Sequence, residues 1–113
     1  MISKELISAV FNEPIYEFKI NGVDVLYKVG NKNKWQEKLI NIYEFAHLVK
    51  EWINNQKYSF NICYRDGWWD RLEKIVHIDF YYNNKSFEAD TEPEAIFKAG
   101  EWVLNNIKND KQN

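Results

Sequence analysis

Cysteine, proline and glycine are all scarce in this 113-residue chain, which carries one cysteine, two prolines and four glycines. The lone Cys63 excludes an intrachain disulfide and any zinc site built on several thiolates. Gly22, Gly30, Gly67 and Gly100 stand far apart, so neither a Walker loop nor a dinucleotide fingerprint is present to cradle a phosphate. No apolar run approaches the ~20 residues that cross a bilayer. The opening Met1-Ile2-Ser3-Lys4-Glu5 also lacks the basic-then-apolar order of a secretory signal. The expected location is therefore the cytoplasm, with no membrane partner. Nor does one sign of charge dominate. Fifteen Lys and Arg against 17 Asp and Glu leave a formal charge of -2 and an isoelectric point near 5.7. That removes the basic footprint of a duplex-DNA binder, and it falls short of the acidity that would imitate a nucleic acid.

Aromatic residues, by contrast, are plentiful at 17%, within a hydrophobic share of 45% and a charged share of 28%. A chain of this size and composition reads as one α+β domain over residues 1–113 with a mainly antiparallel sheet. Within it, residues 1–40 read as a short helix and a β-hairpin, 41–107 as a helix, three strands and a helix, and 108–113 as a disordered polar tail.

Local signals place the elements. Ser3 caps a helix carrying Leu6, Ile7, Val10 and Phe11, and Pro14 stops it; so short a helix reads as a lid. Asn21-Gly22 offers the positive-φ pair of a type I′ turn, which predicts Ile20 opposite Val23, Phe18 opposite Val25, Tyr16 opposite Tyr27 and Lys19 opposite Asp24. Trp35 to Ile40 is read as a third strand. Asn41 and Glu44 open a helix to about Gln56, with Ile42, Phe45, Ala46, Val49, Trp52 and Ile53 on its apolar face. Tyr58, Phe60, Ile62 and Tyr64 then mark the inward face of one strand, and Val76, Ile78, Phe80 and Tyr82 that of the next. Asn83-Asn84 turns the chain into Lys85 to Ala89, and Thr91-Glu92-Pro93-Glu94 caps a last helix bearing Ile96, Ala99, Gly100, Val103 and Ile107. Phe45, Trp52, Ile78, Phe80, Ile96 and Val103 are the predicted core.

Three constellations could carry chemistry. If Asn83-Asn84 is the whole turn, His77 faces Asp90 and Asp79 faces Glu88 on one side of the hairpin, a donor set suited to Mg²⁺, Mn²⁺ or Ca²⁺; the plain alternative is a solvated charged face. Arg65, Asp66, Trp68, Trp69 and Arg71 crowd around Gly67, a composition typical of binding hot spots; the alternative is that the tryptophans fill the core. Cys63 with His47 or His77 would be a nucleophile and base, but no neighbouring feature activates the thiol.

The segments Asn41-Ile42-Tyr43-Glu44-Phe45-Ala46-His47, Lys50-Glu51-Trp52 and Ala89-Asp90-Thr91-Glu92-Pro93-Glu94-Ala95-Ile96, set in the order helix, three antiparallel strands, helix, resemble small proteins of bacteriophages and prophages. The group is described as the phage ABA sandwich domain. The resemblance covers about 42–107, implies a fold and a phage-like origin, and carries over no catalytic residue and no cofactor. The resulting expectation is a non-enzymatic phage or prophage accessory protein that binds a host protein, an inhibitor of a bacterial defence nuclease being one such role. The alternatives are a small metal-dependent hydrolase or nuclease using His77, Asp79, Glu88 and Asp90, and a homodimeric structural module.

Overall fold

Two blocks of alternating sequence form two three-stranded antiparallel sheets, and three apolar-faced segments form the helices that pack with them, in an α+β arrangement. The computed structural model describes residues 2–66 and 74–112. In chain order the elements are α1 (Lys4–Phe11), β1 (Ile15–Asn21), β2 (Asp24–Gly30), β3 (Trp35–Asn41), α2 (Ile42–Asn55), β4 (Phe60–Asp66), β5 (Lys74–Phe80), β6 (Lys85–Ala89) and α3 (Glu92–Gln112). Strand order is β1-β2-β3 in one sheet and β4-β5-β6 in the other. The molecule is a slab of 55 × 38 × 17 Å, thin enough for two layers. No helix among the described residues is long and apolar enough to cross a membrane.

The helix starts follow their caps. Ser3 Oγ accepts the Leu6 N–H at 3.1 Å, and Asn41 Oδ1 accepts that of Tyr43 at 2.8 Å. Glu101 of α3 then accepts from both the backbone N–H and the hydroxyl of Ser3, so α1 is pinned to α3. With Leu6 and Ile7 fully buried, α1 is a piece of the core and not a lid. Gly100 makes this close packing possible: a Cβ there would stand 2.8 Å from Val49 Cγ1 and 3.4 Å from Leu6 Cδ2.

Both predicted hairpin registers are corrected. In the first, Gly22-Val23 forms the turn, Asn21 pairs with Asp24, Ile20 with Val25 and Phe18 with Tyr27. Of the two central residues only Gly22 has positive φ (65°), the pattern of a type II′ turn, so the pairing slides by two residues; Phe18, Ile20, Val25 and Tyr27 keep their predicted face, whereas Tyr16, predicted inward opposite Tyr27, is exposed and Ile15 is buried instead. An extra residue, Tyr16, then bulges between Ile15 and Glu17. In the second hairpin the turn takes four residues, Tyr81 to Asn84, and His77 pairs with Glu88 and Asp79 with Ser86.

The core runs through both halves. Phe45, Ile53, Ile78, Ile96 and Val103 are fully enclosed, Phe80 is buried, and Trp52 is half-buried. Tyr64 and Tyr82 are exposed despite their place in the alternating pattern; Tyr82 lies in the four-residue turn and Tyr64 reaches outward to α3. α3 continues through residues 108–112, where the sequence reads as a disordered tail.

Candidate functional site

Alternation along β5 turns His77 and Asp79 to the face opposite Val76, Ile78 and Phe80. Pairing completes two rows on that face, Cys63–His77–Glu88 and Asn61–Asp79–Ser86. His77 Nδ1 lies 2.9 Å from a Glu88 carboxylate oxygen and Nε2 lies 2.7 Å from one of Asp79. Both ring nitrogens are thereby engaged by carboxylates, one on the same strand and one across the ladder, and the tautomer decides which nitrogen donates. His77, Asp79 and Glu88 are thus brought together, while Asp90 falls past the end of β6 and outside the pairing. The physical reason is turn length: two additional turn residues move every partner of β5 by two positions. Neither imidazole nitrogen is turned to Cys63, whose sulfur instead accepts from Asn61 Nδ2 at 3.0 Å. Among the described residues no group of three or more His, Cys, Asp or Glu is placed to hold a metal ion. The arrangement clasps β5 to β6.

A second constellation forms where α2, β4 and the start of α3 meet. A hollow of about 280 Å³ is lined by Tyr43, Ala46, His47 and Lys50 of α2, by Thr91, and by Glu92, Pro93 and Ile96 of α3. The Glu92 carboxylate accepts from the Tyr64 hydroxyl and, at 3.3 Å, from Lys50 Nζ, so one side chain ties three elements together. His47 Nε2 meets Glu51 at 3.0 Å on the exposed surface of α2. Tyr43 and Tyr64 are 61% and 60% exposed, which leaves two aromatic rings at the surface of this region.

The Tyr64 hydrogen bond, aided by Lys50, holds the Glu92 carboxyl below its ordinary 4.5 against a smaller opposing effect of burial. The same bond raises the Tyr64 hydroxyl above 10.0. A lowered carboxyl contributes stability above its unfolded value and loses it as pH falls through the folded one; a raised phenol contributes below 10.0 and loses it as pH rises through its folded value. Tyr64→Phe should therefore be less stable than the parent near neutral pH, with the difference vanishing in acid and again in strong base. Urea unfolding at several pH values measures this, and an offset independent of pH would refute the pairing. The effect is small, because water screens so exposed a pair.

Thr91 is the cap the sequence predicts. Its hydroxyl accepts the Glu94 N–H at 3.4 Å, and its carbonyl accepts that of Ala95 at 3.2 Å. Thr91→Ala should cost about 0.5–2 kcal/mol, at the lower end given the long bond. Full thermal stability with partner binding abolished would make Thr91 a contact residue instead.

Of the predicted Trp/Arg site, Arg65 and Asp66 are the last residues of β4, and Asp66 pairs with Lys74. Trp68, Trp69 and Arg71 lie outside the described residues. Sequence reasoning misses Tyr43, His47, Lys50 and Glu92 as neighbours because 42 positions separate Lys50 from Glu92 and no spacing rule connects them. The only local signal is that every residue lining the hollow falls within the segments quoted above for the phage-type resemblance. The chain matches no family model, no curated protein and no solved structure.

Proposed function

We propose that this protein acts by binding another protein, in the accessory role to which its phage-like segments point, with a host protein as the partner. An inhibitor of a bacterial defence nuclease is one form of that role. The observation that supports it is the hollow between α2 and α3, with the exposed rings of Tyr43 and Tyr64 beside it. Tyrosine presents a large rigid area with one polar tip and loses little entropy on binding, which is why it recurs in binding hot spots. Two residues beyond Tyr64, β4 ends at Asp66, and the sequence there continues into Gly67-Trp68-Trp69-Asp70-Arg71. Two tryptophans and an arginine add further hot-spot chemistry to the same stretch of chain.

The test is capture from a bacterial lysate on the immobilised full chain, followed by lysine cross-linking. A partner cross-linked at Lys50 and lost with Trp69→Ala plus Arg71→Ala is the expected result. A partner retained by that variant, with cross-links only elsewhere, would overturn the assignment.

A further inference from the structure

We propose that Asn21 is a site of self-modification, at which the folded protein converts an asparagine into aspartate or isoaspartate and so loosens the first hairpin from α2. The site lies apart from the hollow between α2 and α3, and the inference does not depend on what that hollow binds.

The chemistry needs two groups that are neighbours in sequence and free of other partners. Asn21 ends β1 as an exposed residue, and Gly22 opens the turn with a φ of 65°. Among the described residues the Asn21 carboxamide makes no hydrogen bond and the Gly22 N–H meets no acceptor. A Cβ at position 22 would meet nothing within 4 Å, so the turn stands in open space on that side. The attack needs Asn21 to rotate about its Cα–C bond, and at the closing pair of a hairpin this opens one pair and not the ladder.

Elsewhere the same groups are occupied or crowded. The N–H groups that follow Asn12, Asn33 and Asn41 donate to Ser8 C=O, Asn31 Oδ1 and Val23 C=O, and those that follow Asn54, Asn105 and Asn106 lie inside helices. Asn21-Gly22 is also the sole Asn-Gly step of the sequence, so every other asparagine with a successor has a side chain beside the attacking nitrogen. Asn21 should react first.

The step balances without an oxidant or a reductant. Gly22 N forms a bond to Asn21 Cγ, the Cγ–Nδ2 bond breaks, and the Gly22 amide proton leaves with Nδ2 as ammonia, which closes a cyclic imide. Water then opens the ring at either carbonyl. One opening leaves aspartate; the other leaves isoaspartate, whose main chain is longer by the former side-chain methylene.

Both products disturb what the turn holds. Asn21 pairs directly with Asp24, so an aspartate there sets like charges face to face across the ladder. The isoaspartate methylene breaks the fit of a two-residue turn as well. Val23 C=O, inside that turn, accepts the Ile42 N–H at 2.7 Å, the bond that joins the hairpin to the first residue of α2. A loosened turn releases that bond.

The test incubates the full-length protein in mildly alkaline buffer, native and in urea, and follows each asparagine by peptide mapping with mass spectrometry. In the native sample Asn21 should convert at least about tenfold faster than any other asparagine, and amide exchange at Ile42 should quicken by a similar factor in the converted fraction. Asn21→Gln holds the same amide one methylene further out, where ring closure is slow, and its exposed position leaves the fold intact. After equal incubation that variant should gain no acid at position 21 and keep Ile42 protected. Conversion of Asn21 in urea but not in the native protein, faster conversion of a different asparagine, unchanged Ile42 exchange after conversion, or equal loss of Ile42 protection in Asn21→Gln would each overturn the proposal.

Discussion

Phe80→Ala should lower the free energy of unfolding by about 3–5 kcal/mol, a large share of the ~5–15 kcal/mol that holds a domain of this kind together. Phe80 is 3% exposed, and four rings converge on it: Trp102 at 5.0 Å, Phe60 at 5.9 Å, Tyr58 at 6.0 Å and Phe87 at 6.1 Å between centroids. Truncation removes both the buried area and the edge-to-face contacts with Tyr58 and Phe87. Rigid rings on several sides cannot collapse into the gap, so the cavity term is retained. Trp102 borders the cavity, which makes tryptophan fluorescence in a urea titration a suitable measurement. Tyr82→Ala, at a side chain 87% exposed, is the matched control and should stay within ~0.5 kcal/mol of the parent. A loss below about 1 kcal/mol for Phe80→Ala would mean that the ring cluster does not support the fold.

The second large effect concerns binding. Trp69→Ala with Arg71→Ala should weaken the complex with the captured partner by at least about 2 kcal/mol, or roughly thirtyfold in Kd, while unfolding stays cooperative. Tryptophan buries a large area when a partner covers it, and arginine meets carboxylates with paired donors, so removing both deletes area and directional bonds together. Calorimetric titration of the partner into each protein provides the number. An unchanged Kd would move the interface away from this segment, and a collapse of cooperative unfolding would show the two side chains to be structural.

Much of the fold was legible in the residues. The caps at Ser3 and Asn41 work through bonds that span two or three positions, which a local pattern can specify. The inward faces of β2 and β5 followed from period-two alternation and survived a register error, because a slide of two residues leaves every side chain on its own face. The candidate site was much less legible. The Glu92 carboxylate gathers Tyr64 from β4 and Lys50 from α2, and nothing in the spacing of those residues announces that they meet. Cys63, His77 and Glu88 form a row that looks reactive on paper, yet in the folded sheet both imidazole nitrogens are committed to carboxylates.

The sequence by itself determined the fold class, the near-complete set of elements, their caps and most of the core, since those depend on backbone preference and hydrophobic period within a dozen residues. Only the tertiary structure decided which carboxylates His77 holds, because one turn is four residues long instead of two. It decided as well that α1 is buried, because Gly100 lets Val49 and Leu6 approach α3 more closely than a side chain would allow. Contacts between distant segments are set by packing that every element shapes at once, and no window of neighbouring residues contains that information.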